Sequence, residues 1–216
     1  RLEIDVPVDA AELSGGLSLP PPAPGAVVRA VLGVGSNGRL FEEVRTKRAL
    51  SYGANSGFPN RMDDAVLTAS SQTKNETAAE VVQVFLDQLD RLGKEPLTAD
   101  AITKRRDFLT GIYNRQVETS GGLANVLAGF VQQGVPMSEA AQITARLGSV
   151  TAEGASAIAS RLTSGRQATI VVVGDASKFI DKLRAIRPDL EVIPAAELDL
   201  DSATLRRTAA PAGGSR

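Results

Sequence analysis

The 216-residue chain has no cysteine, no histidine and no tryptophan, and only 4% of its residues are aromatic. Without imidazole or thiol it has no ordinary zinc ligands of the N or S type and no base for a Ser-His-Asp triad, and disulfides are excluded. Absence of cysteine fits an oxidising or a reducing compartment equally, so composition leaves localisation open. Net charge is also scarce, 24 Lys and Arg standing against 25 Asp and Glu. That balance, with so few rings, offers nucleic acid neither a basic field nor a stacking platform, and no nucleic-acid partner is expected. No apolar run approaches the roughly 20 residues that cross a bilayer, so no membrane span is expected. What is present is a 43% hydrophobic content, enough for the core of one large domain or two small ones. The first seven residues, Arg1 to Pro7, lack the layout of a signal peptide, and the chain reads as a fragment or a processed product.

The pattern of apolar residues predicts the element order. Leu2, Ile4, Val6 and Val8 alternate as in a strand. Gly15-Gly16 and Pro20 to Pro22 make residues 14–25 a loop, and an apolar segment, Ala26 to Leu32, leads into a glycine-rich turn. Ser36 or Asn37 can cap a helix running to about Leu50, with Leu40, Val44 and Ala49 inward. A turn at Gly57 to Asn60 and a strand from Ala65 to Ser71 follow. Five helices come next. The first has capping-box spacing at Thr73/Glu76 or Thr77/Glu80 and a stripe of Val81, Phe85, Leu89 and Leu92, with Gly93 and Pro96 ending it. Thr98 caps the second, and Thr119 to Gln133, Ser138 to Leu147 and Thr151 to Leu162 are the others. The β-branched run Gln167 to Val173 predicts a strand in the middle of a sheet, followed by a helix over Ser177 to Ile186 and a short strand over Leu190 to Ile193. Residues 208–216 read as a disordered tail. Strands at both ends around a block of helices define an α+β class, a mainly antiparallel sheet with helices packed on one face.

Three motifs bear on function. Gly33-x-Gly35-x-x-Gly38 matches the dinucleotide fingerprint, whose glycines let the backbone approach a pyrophosphate at a helix N-terminus. The residues after it are not a hydrophobic strand, and the run of helices breaks βαβ alternation, so the glycines are better read as a turn between packed segments. A dinucleotide-binding module remains the third functional alternative. Arg45 and Tyr52 stand seven positions apart. On the residues alone, Glu42/Arg45 and Glu43/Lys47 are surface ion pairs and Tyr52 is a half-buried aromatic at a strand start. Ser36, Ser51 and Ser70-Ser71 have no histidine partner and read as structural, while Asp63-Asp64, Asp199 with Asp201, and Lys104-Arg105-Arg106 read as solvated charge.

The stretch from Gly35 to Tyr52 resembles the M16 (insulinase, or pitrilysin-like) metallopeptidases over about eighteen residues. The likeness rests on the glycine-rich turn, Asn37-Gly38-Arg39-Leu40-Phe41, Glu43-Val44-Arg45, the Lys47-Arg48 pair and the closing Leu50-Ser51-Tyr52. The helix order after residue 75, the Val171 to Asp175 strand end and the ending Ala196 to Ser202 are similar to the same family. The sequence departs from the pattern in lacking a triple glycine, in carrying Ala49 at a frequent Gly position, and in a divergent region before residue 33. The resemblance implies a single M16-type α+β domain over residues 1–207, of the non-zinc C-terminal type. In that family one half carries zinc on a His-x-x-Glu-His motif and the other half supplies an Arg and a Tyr. Arg45 and Tyr52 would then be substrate-binding residues that hold a peptide backbone at the transition state. No catalytic residue, cofactor or metal ligand is implied within this chain; zinc is expected in a partner half, fused or separate, and peptide is the implied substrate. Arg39, Leu40 and Phe41 would pack the motif. Long bacterial members of the family are often periplasmic, which points this chain to that compartment. The other alternative implied is a scaffold, since the family includes members that have lost proteolysis and serve as core subunits of assemblies.

Overall fold

Leu2 and Ile4 are buried, with half-buried Glu3 between them, the two-residue period of a strand with one covered face. This strand, β1 (Leu2–Val8), lies inside a four-stranded sheet with β2 (Ser51–Gly57), β3 (Ala65–Thr73) and β4 (Thr169–Val172), in the order β2-β3-β1-β4. Every pairing is antiparallel, and Ile4 stands opposite Ala69 on one side and Ile170 on the other. The computed structural model describes residues 1–8, 23–58, 65–163 and 168–207. Most of the loop expected over 14–25, part of the turn at Gly57 to Asn60, the pair Asp63-Asp64 and the tail 208–216 lie outside the described residues.

Helices cover the inner face. The apolar segment before the glycines is helix α1 (Ala23–Gly33), which packs on β2, and α2 (Ala78–Lys94) lies against β1 and β3. The predicted stripe of α2 is sealed: Val81, Phe85, Leu89 and Leu92 are all at most 1% exposed. Burial of each side chain of this kind contributes about 1.5–3 kcal/mol. Next come α3 (Ala99–Val117), α4 (Ser120–Gln132), α5 (Ile143–Gly148) and α6 (Ala152–Leu162). Thr98, Thr119 and Thr151 cap α3, α4 and α6, accepting from the amides of Ala101, Gly122 and Gly154 at 3.2, 3.1 and 3.1 Å. Neither capping box of α2 forms. The Thr73 hydroxyl instead donates to Leu50 O at 2.6 Å and Thr77 reaches Lys74 O at 3.1 Å, so a tie between elements displaces the local cap.

Three further sequence expectations fail. β4 is an edge strand, not a central one, and Val171 and Val173 are 51% and 67% exposed. Its β-branched residues specify extended backbone, which an edge satisfies as well as a centre. Leu190 to Ile193 is not a strand; among the described residues near it only an isolated bridge joins Leu198 to Arg206. The helix expected to Leu50 is shorter and of a different kind, as described below. The chain divides into two compact units, Arg1–Phe179 and Ile180–Arg216. The second contains α7 (Ile180–Ile186) and a cluster in which Arg206 pairs with Glu191 at 2.8 Å and Glu197 at 2.7 Å. The residues that the sequence marks as a site lie wholly in the first.

Candidate functional site

The segment that carries the site starts from a close backbone crossing. A Cβ on Gly38 would sit 2.7 Å from the Gly33 Cα, and one on Gly33 would sit 2.7 Å from the Ser56 amide nitrogen. Gly35 adopts φ +73°, a left-handed conformation that glycine enters freely. The glycines therefore let α1, the turn and β2 touch. The fingerprint reading requires a strand ahead of the turn, and α1 is there instead. Ser36 and Asn37 do not cap the following helix. Gly38 is its first flanking residue, with no side-chain bond, and the Asn37 carbonyl accepts from Arg105 of α3.

A single helical turn, Arg39–Phe41, then widens into a π-helix, Glu42–Lys47. Leu40 and Val44 are fully buried, as the stripe predicts. Ala49 is not: it is exposed with φ 52°, while Ala49 N and Leu50 N close the helix end on Arg45 O and Val44 O at 3.1 and 2.8 Å. This is a conformation that a glycine enters freely. An L-residue pays about 1–2 kcal/mol for the left-handed region, part of which a glycine loses again to chain entropy in the unfolded state. Ala49→Gly is therefore expected to stabilise the chain by about 0.5–1 kcal/mol, measurable as a higher urea midpoint at unchanged slope.

Of the two expected ion pairs, Glu43/Lys47 forms and Glu42/Arg45 does not. In the π-helix Glu43, 8% exposed, meets Lys47 at 2.7 Å through one oxygen and Arg48 through the other, and Lys47 also reaches Glu42 at 3.2 Å. Arg45 is left out of that network. The hydrogen bonds from Lys47 and Arg48 hold the Glu43 carboxyl below its ordinary range. A carboxylate depressed on folding contributes stability above its unfolded pKa of roughly 4.3, and that stability is lost as pH falls through the lower folded value. The Glu43→Gln variant should accordingly lose less stability than the native chain between about pH 5 and pH 2 in acid titrations followed by circular dichroism.

Arg45 is placed against two rings. Its guanidinium carbon lies 4.3 Å from the Tyr52 ring centroid and 5.0 Å from that of Phe41, within cation–π range. Nη1 donates to the Tyr52 carbonyl at 2.9 Å. Phe41, read from the sequence as packing alone, is thus one jaw of the clamp. The i, i+4 spacing of Phe41 and Arg45 was the available signal.

Tyr52 itself is 84% exposed, not half-buried. Strict alternation would put it on the side of Ala54 and Ser56, which are 0% and 8% exposed. A β-bulge prevents this. Ser51 stands opposite Thr73 and Ala54 opposite Ser71, so Tyr52 and Gly53 together oppose Gln72, and the extra residue turns the phenol outward. Beside it runs an open groove of about 310 Å³, lined by Arg1, Ser51, Tyr52, Gly53, Asn55, Ser70, Ser71 and Gln72. Its one cation, Arg1, is paired with Glu3 at 2.7 Å.

The remaining sequence candidates fall elsewhere. Lys104 does pair with Asp100 on the α3 surface, but Arg105 and Arg106 are half-buried ties, the latter donating to Gly148 O and Val150 O at 2.9 and 3.0 Å. Asp199 accepts from the Asp201 amide at 3.0 Å, a local turn, and no group of three or more metal-capable side chains occurs among the described residues.

The architecture is similar to that of M16 peptidase-like domains. Residues 7–109 match the family model described as the peptidase M16 inactive domain. The chain is 28% identical over 148 residues to an uncharacterized zinc protease of Streptomyces coelicolor, covering 68% of this chain and 32% of that protein. Its fold matches the peptidase M16 inactive domain from Pseudomonas fluorescens (TM-score 0.67, 21% identity), covering 79% of this chain and 39% of the other. A protease from Helicobacter pylori is similar at TM-score 0.68 and 17% identity, with the same 79% and 39% coverage. Residues 7–109 are thus similar to the M16 inactive domain, and the chain spans about one third of the length of the curated relative it matches.

Proposed function

We propose that this domain is the non-zinc part of an M16-type zinc peptidase, and that Arg45 and Tyr52 hold the main chain of a peptide substrate beside a zinc borne by a partner half, fused or separate. The observation that carries this reading is the exposed phenol of Tyr52, set by a bulge and backed by a clamped guanidinium. Among the described residues no bond engages the Tyr52 hydroxyl, and the bond to Tyr52 O occupies a single N–H of Arg45, whose guanidinium carries five donors. Those donors suit a peptide carbonyl. Hydrolysis builds negative charge on that oxygen, and preorganised donors aimed at it stabilise the transition state above the ground state. The chain has no histidine or cysteine with which to ligate zinc, so its own residues do not fit that metal, and its contribution is confined to binding and orienting. The open polar face around the groove supports a role as chamber wall.

Reconstitution tests the proposal. The chain alone should leave unfolded peptides intact, and the chain joined or mixed with its zinc-bearing half should cleave them in a chelator-sensitive way. Chelator-sensitive hydrolysis by the purified chain alone would refute it.

A further inference from the structure

The bulge that exposes Tyr52 is fastened by side chains, and the geometry points to Ser71 and Ser51 as positioning residues for the Tyr52 phenol. Ser71 is 5% exposed and donates to Gly53 O at 2.8 Å. The Ser51 hydroxyl lies 3.0 Å from the same carbonyl, is within hydrogen-bond reach of Gln72 O, and accepts from Gly53 N at 3.2 Å. Both hydroxyls thus act on the second bulged residue, while Arg45 takes the carbonyl of the first. Gly53 has open space around the position of a Cβ, so steric packing does not hold it. The bulge rests on these hydrogen bonds.

The competing register is specific. Without the extra residue β2 would pair with strict alternation, and Tyr52 would turn to the face of Ala54 and Ser56, beneath the sheet. A serine at position 71 is suited to oppose that shift, because its hydroxyl is buried and needs an acceptor, which Gly53 O supplies in the bulged register. Replacing it by alanine removes that preference and leaves the strand length unchanged.

The functional consequence rests on the reading of Tyr52 as a substrate-binding group, so the test has one arm independent of it. The chain has two tyrosines and no tryptophan, and in a Tyr113→Phe background the emission reports Tyr52 alone. Acrylamide quenching of that emission should be strong in the parent. It should weaken toward that of a covered phenol in Ser71→Ala and in Ser51→Ala with Ser71→Ala combined, and Ser71→Thr should restore it. In the reconstituted peptidase the same alanine variants should lower kcat on the order of 10- to 100-fold, the effect of a displaced group, with KM less affected. Unchanged quenching in folded Ser71→Ala would overturn the assignment. Should the combined variant fail to fold, Ser51→Ala alone decides by the same measure. Weakened quenching with an undiminished rate would uphold the pin and reject the role given to Tyr52.

Discussion

In the reconstituted peptidase, Tyr52→Phe is expected to lower kcat by on the order of 10²–10³ while bound zinc and folded fraction stay the same. The substitution removes one oxygen from a side chain that is 84% exposed, so nothing in the core is disturbed, and the change in stability should stay within about 0.5 kcal/mol. Arg45→Ala should cost at least as much, because it removes both the charge and the clamp between Phe41 and Tyr52. Arg45→Lys separates these contributions. An ammonium keeps the charge but loses the planar fork that stacks on a ring and donates in two directions. A rate near that of Arg45→Ala would assign the effect to geometry, and a rate near the native one would assign it to charge alone. Native rates in all three variants would return both residues to a solvated surface. No cleavage even by the native pair would favour a scaffold that has lost proteolysis.

The two residues were legible as a pair only through their spacing and the segment around them. Their relation in space was not. A seven-residue separation on a plain helix followed by a strand does not predict that a guanidinium stacks on the ring and bonds the same residue's carbonyl. Two local irregularities produce that contact, the π-helix of Glu42–Lys47 and the bulge at Tyr52 and Gly53. Neither leaves a periodic trace, since Ser51 to Gly57 is small and polar with no apolar alternation to break. The helices were clearer, because the stripe of Val81, Phe85, Leu89 and Leu92 and the Thr98 cap are local codes, although the capping boxes read at Thr73 and Thr77 do not form. Position within the sheet is not local: the order β2-β3-β1-β4 depends on which strand the first pairs with, and the apolar character of β4 does not contain that information.

A large stability effect is expected at Gly38. Gly38→Ala leaves an allowed backbone, φ −66° and ψ 146°, so any loss must come from packing and not from strain at that residue. The new methyl would meet the Gly33 Cα at 2.7 Å, the Gly33 carbonyl carbon at 3.0 Å and the Val34 nitrogen at 3.1 Å. All three are backbone atoms that cannot rotate aside. To make room, the turn must lift from the end of α1, whose neighbours Leu32 and Leu40 are fully buried, and the clamp residues that follow must move with it. Overpacking of this kind costs about 1–3 kcal/mol, a fall in Tm of about 2–12 °C for a chain of this size. Gly129→Ala is the control: it lies in α4 with nothing within 4 Å of a Cβ, and helix propensity alone should stabilise the chain by about 0.5–1 kcal/mol. A glycine kept for approach to a phosphate would instead tolerate a methyl in the free protein, and only ligand binding would suffer. Thermal melts of Gly38→Ala with and without added dinucleotide therefore separate the two uses: a large drop in ligand-free Tm assigns the glycine to the crossing of α1, and an unchanged ligand-free Tm with a lost ligand-induced rise would assign it to binding.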